Sequence, residues 1–131
     1  MTPTRLKFTL GGFNATCHEV EWKKGQLWYR HAVGAYLWEP PVLILPTEAE
    51  WARFWRGLET AAVWTWQPRY EDPDILDGAQ WSLHVEYAGR RLKSHGSNAY
   101  PGGEGLATSR TGDFTRLIKS LQLLTGQNDL V

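Results

Sequence analysis

The residues with the sharpest chemistry here are four histidines, at positions 18, 31, 84 and 95, and a single cysteine, Cys17. Cys17 and His18 adjoin, but neighbours on a strand point to opposite faces and form no thiolate–imidazole dyad directly. Cys17 reads instead as a small buried hydrophobe. Ser94, Ser97 and Ser109 sit in no G-x-S-x-G elbow, and read as loop residues that bond their own backbone. No two histidines have H-x-x-x-H spacing, and one cysteine excludes a multi-cysteine zinc site. Asp72, Asp74 and Asp77-Gly78 fall short of a calcium loop. The third carboxylate and the glycine each come one residue late, and position 12 is Leu83. An acidic turn is the simpler account. No metal and no cofactor is expected.

Acid–base work would draw on His84, Glu86, His95, Asp77 and Glu104. Pairing outward from an Ala88-Gly89 turn sets Tyr87 beside Arg90, Val85 beside Leu92 and His84 beside Lys93. His95 then falls opposite Ser82, diagonal to His84 on one face. An outward polar face is the simpler account of the pair. Gly96-Ser97-Asn98 and Gly102-Gly103-Glu104-Gly105 lie near Arg90, Arg91 and Lys93. No lysine follows the glycines in Walker fashion, which rejects a P-loop and leaves open a backbone nest for a small anion.

The aromatic content is the anomaly. Eight tryptophans stand at 22, 28, 38, 51, 55, 64, 66 and 81, with five tyrosines and four phenylalanines. Each buried ring removes about 150–250 Å² from water, so a few would build most of a small core, and the rest are available for stacking or binding. Periodicity sorts them. Arg5–Leu10 alternates as a half-buried strand ended by Gly11-Gly12. Thr16–Lys23 and Gln26–Ala32 flank Lys24-Gly25 as a hairpin, and on its second arm Trp28 opposes Leu27 and Tyr29, so both faces of that arm are partly covered. Pro40-Pro41 cannot sit mid-sheet, so Val42–Leu45 is a short strand at an edge or after a bend. Thr47 and Glu50 form a capping box. It opens a helix whose stripe is Trp51, Phe54, Trp55, Leu58 and Ala62. Tyr70–Gly78 is turn-rich, Trp81–Tyr87 is the best strand, and Arg90–His95 returns from it. Asp113 is expected to cap a second helix, with Phe114, Leu117, Ile118, Leu121 and Leu124 as its stripe and Gly126 as terminator.

Strands, helix, strands, helix predict one α+β domain over 1–131: an antiparallel sheet of five to six strands with both helices packed on one face. Fourteen basic and fourteen acidic residues balance to zero. That disfavours a dedicated nucleic-acid grip. No apolar run reaches the roughly 20 residues of a membrane helix, and Met1-Thr2-Pro3-Thr4 does not begin a signal peptide. The expected location is the cytosol.

Trp66 and Tyr70, Ile75-Leu76-Asp77-Gly78, Trp81-x-Leu83-x-Val85 and Gly96-Ser97-Asn98-Ala99-Tyr100-Pro101 together resemble a pattern in small uncharacterised bacterial proteins. There a W-x-L-x-I strand, a short hairpin and a G-x-N-A-Y-P segment lead into a final helix. The resemblance covers the second half of the chain and implies an intact domain of that type. It carries no activity with it. Here Gly102–Gly112 intervenes before the final helix.

These readings point to a non-enzymatic interaction module of the inhibitor, immunity or accessory type. It would engage a protein partner, or a small ligand, through Trp28, Tyr36, Trp38 and the 96–105 loop. Trp38 lies in a proline-flanked segment that no helical stripe claims. The alternative is an enzyme or a nucleotide- or small-ligand-handling protein on the 84–105 hairpin and loop, using His84, Arg90, His95, Asn98 and Tyr100. Homodimerisation through an exposed sheet edge is a third expectation.

Overall fold

A computed structural model describes residues 1–12, 16–33, 37–72, 78–102 and 110–130. The strands are β1 (Arg5–Gly12), β2 (Cys17–Lys23), β3 (Gln26–Ala32), β4 (Val42–Ile44), β5 (Arg69–Glu71), β6 (Ala79–Tyr87) and β7 (Arg90–Ser97). The helices are α1 (Glu48–Thr60) and α2 (Gly112–Thr125), and a short 3-10 turn spans Val63–Thr65. One sheet runs β4-β3-β2-β1-β6-β7-β5. Every pairing is antiparallel except β5 with β7, so the architecture is α+β with a mixed sheet of seven strands.

The seventh strand is the departure from the expected five to six. Arg69–Glu71 is only three residues long and lies where the sequence reads as an acidic turn. Its place is fixed from outside. The His95 N–H donates to the Pro68 carbonyl at 3.1 Å, and the Asp72 N–H to the Ser97 carbonyl at 3.0 Å.

Alternation sets the two faces of the sheet. Leu6, Phe8 and Leu10 on β1 share a face with Val20, Leu27, Tyr29, Trp81, Leu83, Val85 and Leu92, and both helices press their apolar stripes onto it. Trp51 meets Trp22 edge-on at 5.6 Å, Trp55 stacks on Tyr87, and Phe114 meets Trp81 at 5.2 Å. The capping box forms as expected: Thr47 Oγ1 accepts from the Glu50 N–H at 3.1 Å, and Glu50 Oε1 accepts from the Thr47 N–H at 2.9 Å. The stripe ends one residue earlier than expected. Ala61 is the buried C-cap, while Ala62 turns left-handed at φ 54°. The cap of α2 is Thr111, whose hydroxyl accepts from the Phe114 N–H at 3.2 Å. Asp113 instead lies in the first turn, paired with Arg116 at 3.0 Å, where its charge suits the helix dipole. Gly126 ends α2 in the left-handed region as expected. No described helix is long and apolar enough to cross a membrane.

Candidate functional site

The face of the sheet away from the helices carries alternating charged residues and one tryptophan. Trp28 lies in the row Lys7–Glu21–Trp28–Leu43, which crosses β1, β2, β3 and β4 in register. The neighbouring row is Thr9–Glu19–Arg30. Here the surface sinks into a groove of about 400 Å³, floored by Trp28 and bounded by Glu19, Glu21, Lys23, Arg30 and Pro41. Most of its charges are matched: Arg30 pairs with Glu19 at 3.0 Å, and Lys7 lies 3.9 Å from Glu21. Lys23 and Lys24, at the tip of the β2–β3 hairpin, form no ion pair among the described residues.

Trp38 flanks this groove. Its backbone bridges Ala32, the Glu39 N–H donates to the His31 carbonyl at 2.8 Å, and the Arg30 guanidinium lies 4.1 Å above the indole centroid. Arg30 is thus held between the Glu19 carboxylate and the Trp38 ring. Trp38 remains 39% exposed. Around it the segment 37–45 presents Leu37 at 71%, Leu45 at 79%, and exposed Val42 and Leu43. Apolar surface gathered this way beside an open strand edge is the mark of an interaction site. An apolar run between prolines, Pro41-Val42-Leu43-Ile44-Leu45-Pro46, is the signal for it in the sequence. The paired Glu19 and Arg30 and the unpaired hairpin-tip lysines have no comparable signal, because only the strand register brings them together.

The other expected site residues separate. Tyr36 lies outside the described residues, as do Asp77 and Glu104. Asn98 is buried at φ 55°, its N–H donating to the Ala79 carbonyl at 2.9 Å and its side chain occupying the space a Cβ on Gly78 would need. Tyr100 is buried edge-on against Phe114 at 4.9 Å. Both side chains pack into the fold. Arg90 pairs with Glu59 on α1 and stacks over Trp64 at 4.5 Å. Cys17 is half-buried rather than buried, because it occupies the outward position of β2 while His18 takes the inward one.

His84 and His95 do lie on one face in the expected diagonal register, His84 beside Lys93 and Ser82 beside His95. His95 is exposed. His84 centres the row Lys7–His84–Lys93, next to the row Arg5–Glu86–Arg91. Its Nε2 is 3.5 Å from the Glu86 carboxylate and has no hydrogen-bond partner among the described residues. Burial, then the Arg5 charge, hold its pKa below the usual value, against the pull of Glu86; Lys93 and Arg91 act with Arg5. His18 is 3% exposed and hydrogen-bonds Tyr29 through Nδ1 at 2.8 Å. Burial, then His31, depress its pKa, opposed by Asp129 and aided by Arg110.

Both imidazoles therefore stay neutral in the fold at pH values where the unfolded chain, titrating near 6.5, binds protons. Their contribution is fully present above that pH and is lost as pH falls through the depressed native values. Urea unfolding followed from about pH 7.5 down to about pH 5 should show a falling midpoint, and His84→Gln should flatten part of the slope. An unchanged midpoint would show that neither ring is held neutral.

No protein-family model, no curated protein and no solved structure matches the chain.

Proposed function

We propose that this chain is a non-enzymatic binding module of the inhibitor, immunity or accessory-subunit type. It works in the cytosol and engages a protein partner through the outer sheet face around Trp28, Trp38 and Leu43. The observation that carries this reading is the gathering of exposed apolar side chains on 37–45, at the β4 edge beside the Trp28 groove. Two tryptophans, an arginine fixed between Glu19 and Trp38 and a rim of mixed charge make the composition of a binding hot spot. The small-ligand reading keeps one support, the Lys7–His84–Lys93 row. Asn98 and Tyr100 no longer add to it, being committed to packing.

Trp38→Ala separates the partner from the fold. Among the described residues the ring's aromatic contact is with Arg30, and Trp38 is 39% exposed, so stability should fall by only about 1 kcal/mol. Affinity capture from native host lysate with the intact chain should recover a stoichiometric protein that Trp38→Ala loses and His95→Ala retains. A large drop in melting temperature for Trp38→Ala, or a captured protein indifferent to it, would overturn the reading. A bound metabolite with no protein would shift the site to the His84 row.

A further inference from the structure

We propose that two copies of this chain pair through β4, antiparallel about a two-fold axis at Leu43. The use of the resulting surface rests on the binding reading above; the pairing itself does not.

The two edges of the sheet are built differently. β5 carries Arg69 and Glu71, 3.8 Å apart, and charged side chains discourage a further strand. Among the described residues β4 has β3 on one side only, and the segment from Pro40 to Pro46 bears no charge. An antiparallel pair centred on Leu43 sets that residue against its own copy and Val42 against Ile44, twice. Like residues that oppose one another are apolar, so the self-pairing meets no repulsion at its centre. Pro40, Pro41 and Pro46 bracket the open stretch at both ends and cannot donate to a ladder, which limits the pairing to the residues between them.

The charges at the ends of β4 complete the complementarity. The register of Ile44 beside Leu27 brings the end of β4 to the β2–β3 tip, where Lys23 and Lys24 stand without an ion pair among the described residues. The other end begins at Glu39, held near His31, likewise without one. Antiparallel pairing carries the Glu39 end of each copy to the lysine tip of the other. A two-fold of this kind stands perpendicular to the sheet, so both outer faces look the same way. Trp28 and Leu43 of one copy then continue into Leu43 and Trp28 of the next, one apolar row across two grooves.

Sedimentation equilibrium of the full chain over micromolar concentrations should show a monomer–dimer equilibrium. Leu43→Lys places like charges on the axis and should raise the dissociation constant at least about tenfold, while the melting temperature at concentrations too low for the dimer stays unchanged. Glu39→Lys should weaken the dimer about fivefold, and adding Lys23→Glu with Lys24→Glu should restore it. Should Leu43→Lys fail to fold, this charge exchange at exposed positions carries the test alone. A monomer throughout, or a dimer that neither substitution disturbs, would overturn the pairing. A monomer that still captures its partner overturns the dimer and leaves the binding reading standing; a sensitive dimer that captures nothing does the reverse.

Discussion

Gly96→Ala is expected to cost about 3 kcal/mol or more, although alanine is ordinarily better than glycine within a strand by about 0.5–1 kcal/mol. Gly96 lies on β7 directly across from Trp81, on the helix-covered face. A Cβ there would come within 2.5 Å of the Ala99 carbonyl oxygen and of Cε2 in the Trp81 indole, closer than real Cβ atoms approach. Neither neighbour can yield. The carbonyl is backbone, and the indole is wedged between Trp66 at 5.6 Å and Phe114 at 5.2 Å. The same indole donates its N–H to Ala99 at 3.0 Å in a buried bond. Moving the ring therefore adds overpacking, about 1–3 kcal/mol, to the loss of a buried hydrogen bond, about 1–3 kcal/mol. Trp81→Ala should cost about 3–5 kcal/mol on its own. The two must interact, because in the Trp81→Ala background much of the methyl's clash has gone. Urea unfolding of the four proteins of this cycle should give a coupling of about 1–3 kcal/mol, and strictly additive losses would show that Gly96 is not holding the indole in place.

This small knot explains which parts of the molecule were legible beforehand. Trp81, Leu83 and Val85 alternate, the Ala88-Gly89 turn fixes the register, and every partner in the β6–β7 hairpin follows from counting. The helical stripes are legible for the same reason: a local period reports a local structure. β5 is not, because a three-residue strand has no period and its pairing with β7 is parallel and long-range. The Gly96–Asn98–Tyr100 segment shows a different limit. Its residue types suit a ligand loop and a tight structural crossing equally, and only the approach of Gly78 to Asn98 and of Gly96 to Trp81 identifies a crossing. At the candidate surface the sequence isolates Trp28, Trp38 and the edge strand, since each is left over once the periodic core is assigned. It does not reveal that Arg30 joins Glu19 to Trp38, or that two lysines without ion pairs among the described residues border the groove, because those relations depend on how β2, β3 and Trp38 lie side by side.

Trp55→Ala is expected to cost about 3–5 kcal/mol, several times the loss foreseen for Trp38→Ala. The contrast lies in what each ring touches. Trp55 projects from α1 and stacks on Tyr87 at the end of β6, centroids 3.7 Å apart and planes 2° from parallel. Phe54 meets it edge-on at 5.1 Å, Trp51 lies 5.9 Å away, and its N–H donates to the Met1 carbonyl at 2.7 Å. One side chain thus ties the helix to the end of β6 and to the segment that precedes β1, and alanine would leave a cavity among rings too rigid to collapse into it. Trp55→Phe retains a ring against Tyr87 and gives up only the bond to Met1, so it should recover more than half of the loss in thermal or urea unfolding. Equal losses for alanine and phenylalanine would place the stabilisation in the hydrogen bond instead of the stack. A negligible loss for alanine would mean that α1 is held elsewhere. If Trp55→Ala destabilises while Trp38→Ala does not, the tryptophans divide into those that build the core and those that remain for a partner, a division that rests on burial and contacts and owes nothing to residue type.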